Sequence, residues 1–208
     1  GTGKFTEILS FDEVSIYELQ EKLNFILYQN ADISKEILQL LYYCLNEIMD
    51  NVLVHSNLDH GWVSCQYFKR TKEIRLIICD TGNGIHRSLT TNPKTKYPKI
   101  SESDALSLCI QIGVTNGEGM GFGLFATSEF IRKNHGNLLI YSGDHSLKVD
   151  SNRVSVLNGS RWKGTFVFLR INTDIAVDYH EIMPVHHSLP DDYQEFIEKK
   201  LDFGNDLW

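Results

Sequence analysis

The strongest constraint on the fold is a pair of short segments in which apolar and polar residues alternate, 61–68 and 73–79. Alternation with a period of two is typical of a β-strand that buries one face. Only the charged sequence Lys-Arg-Thr-Lys of residues 69–72 separates the two segments. A connection this short predicts a hairpin of two antiparallel strands. Further strands are predicted at 5–11, 137–142, about 147–157 and 164–171.

Helical periodicity surrounds this hairpin. Ser10 and Glu13 have the spacing of a capping box, which predicts the start of a first helix. A second helix, capped by Asp32 or Ser34, carries apolar residues at three- and four-residue steps as far as Val52. Both helices therefore have one apolar face that must pack on another layer of the protein.

Two more helices are predicted after the hairpin. One is short, at about 103–112, and the other begins at the glycine-dense stretch 117–123. The latter should end at His135-Gly136, with Gly136 as the left-handed terminator. The order of helices and strands predicts an α/β fold, a two-layer sandwich in which helices cover one face of a mixed, mostly antiparallel sheet.

Composition limits the class of protein. The 208 residues include 42% hydrophobic residues, enough for a packed core, and no apolar run approaches the roughly 18 residues of a membrane span. The formal net charge of −7 disfavours a protein that binds nucleic acid through its phosphates. The four cysteines are widely spaced, which argues against a zinc site or a disulfide framework. We expect a soluble, cytoplasmic protein without a membrane span.

Two regions stand apart from these elements. Residues 85–118 contain two of the four prolines and a polar run, and so long a connection predicts a lid or a binding loop. Residues 172–208 form a tail with an amphipathic pattern at 193–201, which we interpret as a linker or as a helix that docks a partner.

Two short motifs carry polar groups suited to binding chemistry. Glu47 and Asn51 lie one helical turn apart, where a carboxylate and a carboxamide can polarise water and bind a hard cation. The alternative is a solvated helix face. Asp80, Gly82 and Gly84 follow a predicted strand, and this pattern fits either a pocket for a flat ring or an Asx turn.

Two glycine motifs follow. The glycines of 117–123 precede a helix, so their N–H groups and the helix dipole favour a bound phosphate; a flexible hinge is the alternative. Gly164-Thr165 opens a predicted strand. The stretch 159–164 imitates the first part of a P-loop, but Thr165 replaces the lysine and a strand replaces the helix, so the P-loop interpretation fails.

The order of these four motifs resembles the ATP-binding domain of histidine kinases, DNA gyrase, heat-shock-90 chaperones and mismatch-repair ATPases, the GHKL or Bergerat-fold superfamily. The N-box is similar to Leu45-Asn46-Glu47-Ile48-Met49-Asp50-Asn51, and the first glycine box to Asp80-x-Gly82-x-Gly84. The second glycine box is similar to Gly119-x-Gly121-x-Gly123-Leu124, and the final box to Gly164-Thr165. The resemblance covers residues 34–171 and predicts one ATP-binding domain over residues 1–171.

The resemblance implies roles for individual residues. Asp80 would bind the adenine amine with help from the Thr165 hydroxyl, in a pocket shaped by Gly82 and Gly84. Asn51 would hold Mg²⁺ against the phosphates of ATP or ADP.

The same resemblance assigns the phosphate end of the site. Gly119, Gly121 and Gly123, followed by Leu124, would close over the phosphates at the end of the lid. Glu47 would be the general base for water or for an acceptor hydroxyl.

Within the superfamily, the chain looks most like the anti-sigma-factor serine kinases and related bacterial stand-alone ATPases, because of its short layout and the segment 107–116. We expect an ATP·Mg²⁺-binding domain in bacterial signalling that hydrolyses ATP or phosphorylates an unidentified partner protein. The alternative is a non-catalytic switch, in which ATP closes the lid and recruits the partner. A homodimer is an open alternative for its assembly.

Overall fold

The computed structural model describes residues 4–30, 33–117, 121–178 and 181–182. The chain divides into two compact units, 1–177 and 178–208. In the second unit, a turn in which the Glu181 N–H donates to the Asp178 carbonyl (3.1 Å) falls within the described residues. The helix predicted at 193–201 lies outside the described residues.

The first unit contains six described strands and five described helices. The strands are β1 (Lys4–Phe5), β2 (Leu9–Asp12), β3 (His60–Phe68), β4 (Glu73–Cys79), β5 (Asn137–Val149) and β6 (Val154–Asn172). The helices are α1 (Ile16–Asn30), α2 (Lys35–His55), α3 (Gly84–Thr91), α4 (Glu102–Leu108) and α5 (Gly123–Lys133). The sheet order is β1-β3-β4-β6-β5, and β2 also pairs with β3.

The hairpin predicted from 61–68 and 73–79 is confirmed as β3 and β4, which pair in antiparallel fashion. Val63 lies opposite Ile78 and both side chains are buried, whereas Ser64 and Ile77 on the other face are half-buried. The apolar faces of α2 and α5 pack on the buried face of the sheet, which confirms the two-layer α/β architecture. Every pairing among the described strands is antiparallel.

Local capping signals are confirmed at one helix and wrong at another. The Ser34 hydroxyl accepts from the Ile37 N–H (3.4 Å) and caps α2. Ser10, in contrast, belongs to β2, where it pairs with Trp62, so it caps nothing. The turn before α1 is instead closed by Asp12 and Ser15, because the Asp12 carboxylate accepts from both the N–H (2.8 Å) and the hydroxyl (2.7 Å) of Ser15.

The strand predicted at about 147–157 is wrong, because a turn interrupts it. The Asp150 carboxylate accepts from the N–H groups of Asn152 (2.9 Å) and Arg153 (3.0 Å) and ends β5 there. The last three predicted strands are therefore the two long strands β5 and β6, which form one hairpin.

The helix α5 ends near the predicted position, but the residue that adopts the left-handed conformation there is not the predicted Gly136. His135 adopts the left-handed conformation (φ 53°), and no positive φ is found at Gly136. A side chain at Gly136 would clash with the Arg170 carbonyl, so a close approach of two backbones explains this glycine. No described helix is both long and apolar enough to cross a lipid bilayer.

Candidate functional site

The buried carboxylate of Asp80 is the centre of the site. Asp80 follows the last residue of β4 and is only 2% exposed. One carboxylate oxygen accepts from the Gly82 N–H (2.7 Å) and the other from the Thr165 N–H (3.2 Å), while the Asp80 N–H donates to the Thr165 carbonyl (2.8 Å). Burial raises the pKa of Asp80, and the hydrogen bonds from Gly82 and Thr165 oppose that shift. The pairing of β4 with β6 thus joins Asp80 and Thr165, two residues that the family resemblance assigns to one pocket.

The loop after Asp80 lies against the end of α2. The Asn83 N–H donates to the carbonyl of Ser56 (2.8 Å), and Ser56 is the C-cap of α2. Any side chain at Gly82 would collide with that same carbonyl. Gly84 begins α3 next to the Ser142 hydroxyl and the Gly164 carbonyl. This close packing places the loop that follows β4 beside the C-terminal end of α2, the helix that carries the N-box.

Glu47 and Asn51 lie on α2, one turn apart and both half-buried. Between them on the helix, Ile48 is buried in the core, so the two polar residues lie at the edge of the apolar face. The pKa of Glu47 is raised, mainly by burial and further by the charge of Asp50, and a hydrogen bond from Tyr43 opposes the shift. A carboxylate with a pKa shifted toward neutrality is suited to accept a proton at physiological pH.

The first residue of α5 touches Glu47. Gly123 is buried, and a side chain at this position would occupy the place of the Glu47 carboxylate. The N–H groups in the first turn of a helix have no partner within the helix, so they and the helix dipole favour an anion. The carboxylate of Glu47 therefore lies at the N-terminal end of α5, the end of a helix that favours negative charge.

Two more residues of the second glycine box are described. Gly121 has φ 70° and its carbonyl accepts from the Gly113 N–H (3.0 Å), which folds the start of α5 back on the preceding segment. Leu124 lies half-buried in the first turn of α5. Gly119 lies outside the described residues.

The segment predicted as a lid, 85–118, contains α3 and α4 and is held to the hairpin of β5 and β6 at two points. The Ile85 N–H donates to the Ser142 hydroxyl (2.8 Å), and a Glu102 oxygen accepts from the Asp144 N–H (3.1 Å). Near its other end, the Asn116 amide nitrogen lies 3.2 Å from Nδ1 of His55, in the last turn of α2. The segment therefore connects the hairpin to the N-box helix.

Sequence reasoning missed two side chains that contact the site. The Trp162 indole N–H donates to the carbonyl of Asp80 (3.1 Å), and a hydrogen bond joins Tyr43 to Glu47. Tyr43 lies one helical turn before Glu47, so its spacing was a usable signal. No role was predicted for Trp162, because no local pattern in the sequence indicates its contact with Asp80.

The residues present fit a nucleotide with a hard cation. Glu47, Asp50 and Asn51 offer oxygen atoms, which Mg²⁺ prefers, within a span of five residues of α2. Within the part of the chain that the structure describes, no three His, Cys, Asp or Glu residues cluster as a metal site. A cation held here would take its protein ligands from these oxygen atoms of α2.

A family model described as "Histidine kinase-, DNA gyrase B-, and HSP90-like ATPase" matches residues 37–174 of the chain. The match begins in α2 and ends just beyond β6, and it includes all four motifs of the candidate site. A comparison with curated proteins found no significant match.

Proposed function

The chain belongs to the family of histidine kinase-, DNA gyrase B- and HSP90-like ATPases, and on that premise we propose that it binds ATP with Mg²⁺ and cleaves the γ-phosphate. The phosphoryl group goes to water or to the hydroxyl of a partner protein's serine. The observation that carries the chemical part of this proposal is the contact between Glu47 and Gly123, which sets a carboxylate at the N-terminus of α5.

Base recognition is assigned to Asp80. Its two carboxylate oxygens already accept two backbone N–H groups, and a carboxylate has lone pairs for further donors. The exocyclic amine of adenine is a donor, whereas the keto group of guanine at the same position is an acceptor. Asp80 therefore supports a preference for adenine over guanine.

Phosphate transfer is assigned to Glu47 and α5. The N–H groups at the start of α5 would stabilise negative charge on the γ-phosphate, and Asn51 would hold Mg²⁺. When ionised, Glu47 accepts the proton of the attacking hydroxyl or water while the bond from the γ-phosphorus to the bridging oxygen breaks and ADP leaves. Mg²⁺ supplies charge neutralisation when it is bound.

A serine of a partner protein is the acceptor we favour. The segment 107–116 supports this choice through its resemblance to the anti-sigma-factor serine kinases. A role in bacterial signalling follows from the same resemblance. Transfer of the labelled γ-phosphate from ATP to a protein, rather than to water, would separate the kinase from the ATPase.

The contact between Asn116 and His55 supports a second candidate, a non-catalytic switch. It joins the C-terminal part of the lid segment to the helix that carries Asn51, so binding of Mg²⁺ and phosphate can be coupled to the position of the lid. In this case, ATP closes the lid and recruits a partner without chemistry. Protection of the lid, residues 85–118, from protease by a non-hydrolysable ATP analogue, together with no phosphate release, is the result that favours the switch.

Calorimetric titration with ATP and ADP, with and without Mg²⁺, is the first test. The same samples are assayed for released phosphate. Tight binding that requires Mg²⁺ is the expected result, and phosphate release then identifies an ATPase. Binding without release directs the search to a protein acceptor or to the switch. If neither nucleotide binds, the proposed function is wrong.

A further inference from the structure

The indole of Trp162 reaches from β6 to the main chain at the end of β4. Its N–H donates to the carbonyl oxygen of Asp80, with a donor–acceptor distance of 3.1 Å. Trp162 is half-buried and Asp80 is almost fully buried, so water has little access to replace this bond. An indole N–H can only donate, and the carbonyl can only accept, which fixes the direction of the contact.

An irregularity in the hairpin of β5 and β6 makes this reach possible. Thr165 pairs with Ser142 and Trp162 pairs with Gly143, so two residues of β6 are extra at this point of the ladder. One of them, Gly164, has φ 96°, and a Cβ there would lie 2.5 Å from a carboxylate oxygen of Asp80. A bulge redirects side chains, and here both Trp162 and Thr165 contact the same residue.

Residues of β6 thus make three hydrogen bonds to Asp80. The Thr165 carbonyl accepts from the Asp80 N–H, the Thr165 N–H donates to the carboxylate, and Trp162 donates to the Asp80 carbonyl. The fourth contact, from the Gly82 N–H, comes from the loop after Asp80. Because rotation of the main chain would turn the carboxylate, the bond to Trp162 restricts the direction in which the carboxylate lies.

One aromatic ring, that of Phe166, packs against the indole and in turn contacts a second ring, that of Tyr141. The Trp162 and Phe166 rings meet edge to face with centroids 5.5 Å apart, and Phe166 meets Tyr141 at 6.4 Å in the same manner. Edge-to-face pairs add directional attraction beyond their buried area. The contact with Phe166 therefore helps to direct the indole N–H toward the Asp80 carbonyl.

We propose that Trp162 is a positioning residue for the base of the nucleotide, which holds the main chain of Asp80 so that its carboxylate stays directed at the exocyclic amine of adenine. This inference rests on the proposed function, because it assigns the specificity of the same site. Trp162 itself does not touch the base.

The test compares two ligands that differ only in the exocyclic amine, ATP and purine riboside triphosphate. We expect Trp162→Phe, which retains an aromatic ring and loses the N–H, to weaken ATP binding by about 3- to 10-fold. Binding of purine riboside triphosphate should change by less than about 2-fold, so the preference for ATP shrinks. A purely structural role would weaken both ligands alike and leave their ratio unchanged, and that result would overturn the proposal.

Trp62→Phe is the matched control. Trp62 is also half-buried, and its ring meets His60 edge to face at 4.9 Å, on β3 rather than on the bulge. The control should retain both affinities. Phe166→Leu provides a second variant, because it preserves the indole N–H but removes the ring that packs on the indole. Its preference for ATP over purine riboside triphosphate should lie between that of the wild-type chain and that of Trp162→Phe.

The two proposals can fail separately. If the wild-type chain binds neither ligand, the proposed function is wrong. If the wild-type chain prefers ATP and both Trp162→Phe and Phe166→Leu preserve that preference, only the role of Trp162 is wrong. If a thermal unfolding curve shows that Trp162→Phe does not fold, the role of Trp162 is judged from Phe166→Leu. An unchanged preference of that variant for ATP over purine riboside triphosphate would then overturn the proposal.

Discussion

Asp80→Asn is the sharpest test of base recognition, because asparagine has nearly the same shape as aspartate. In the wild-type chain, one carboxylate oxygen accepts from the Gly82 N–H and the other from the Thr165 N–H. The Thr165 hydroxyl also hydrogen-bonds to the carboxylate, and the adenine amine would be a further donor. The asparagine amide has one accepting oxygen and one donating nitrogen. Its nitrogen must then face one of these donors, so at least one of the hydrogen bonds to this side chain is lost.

The size of the effect follows from the charge of the acceptor. A hydrogen bond to a charged group contributes about 1.5–3 kcal/mol. If the lost bond is the one to adenine, Kd for ATP should rise about 10- to 150-fold. Calorimetry gives this constant directly, and a thermal unfolding curve of the variant shows whether the fold is retained.

A thermodynamic cycle tests the contact between Asp80 and the amine. It compares the affinities of the wild-type chain and of Asp80→Asn for ATP and for purine riboside triphosphate. Removing the amine from the ligand should weaken binding to the wild-type chain and have little effect on Asp80→Asn, since the partner of the amine is already gone. The coupling between the two changes should reach at least about 1 kcal/mol. A coupling near zero, with both proteins folded, would mean that Asp80 does not bind the amine, and the assignment of the base pocket would be refuted.

Three further substitutions test the phosphate end of the site. Glu47→Gln should retain ATP affinity and lose about 100-fold or more in turnover. Because burial raises the pKa of Glu47 above its ordinary 4.5, the ionised carboxylate costs stability above the raised pKa. Glu47→Gln should therefore have a higher Tm than the wild-type chain at pH 8, and this difference should disappear below about pH 4.5. Unimpaired turnover in this variant would remove Glu47 from the mechanism. Asn51→Ala should abolish the dependence of ATP affinity on Mg²⁺, measured by titration with and without the cation, and a retained dependence would place the cation elsewhere. Gly123→Ala adds a methyl group where the Glu47 carboxylate lies, so turnover should fall and unfolding should cost about 1–3 kcal/mol less; unchanged kcat would show that this contact is not needed.

Much of the fold was predictable because its signals are local. The alternation in β3 and β4 and the short turn between them require only neighbouring residues, and both strands formed as predicted. The Ser34 cap and the apolar face of α2 are likewise set within one or two helical turns. Where the local signals competed, the prediction failed: Ser10 was drawn into β2 by its pairing with β3, and a turn centred on Asp150 divided a run that had looked like one strand.

The sequence by itself determined the family, the order of the four motifs and the neighbours along one helix, such as Glu47 and Asn51. These features depend only on the periodicity of apolar residues and on the spacing of motifs along the chain. Only the tertiary structure decided which motifs touch. Glu47 meets Gly123 through the packing of α2 on α5, and Trp162 reaches Asp80 through a bulge in β6. Such contacts depend on strand register and on the position of the two extra residues of β6, and a shift of one residue turns a side chain to the other face of the sheet. No pattern within a short window of sequence can fix them.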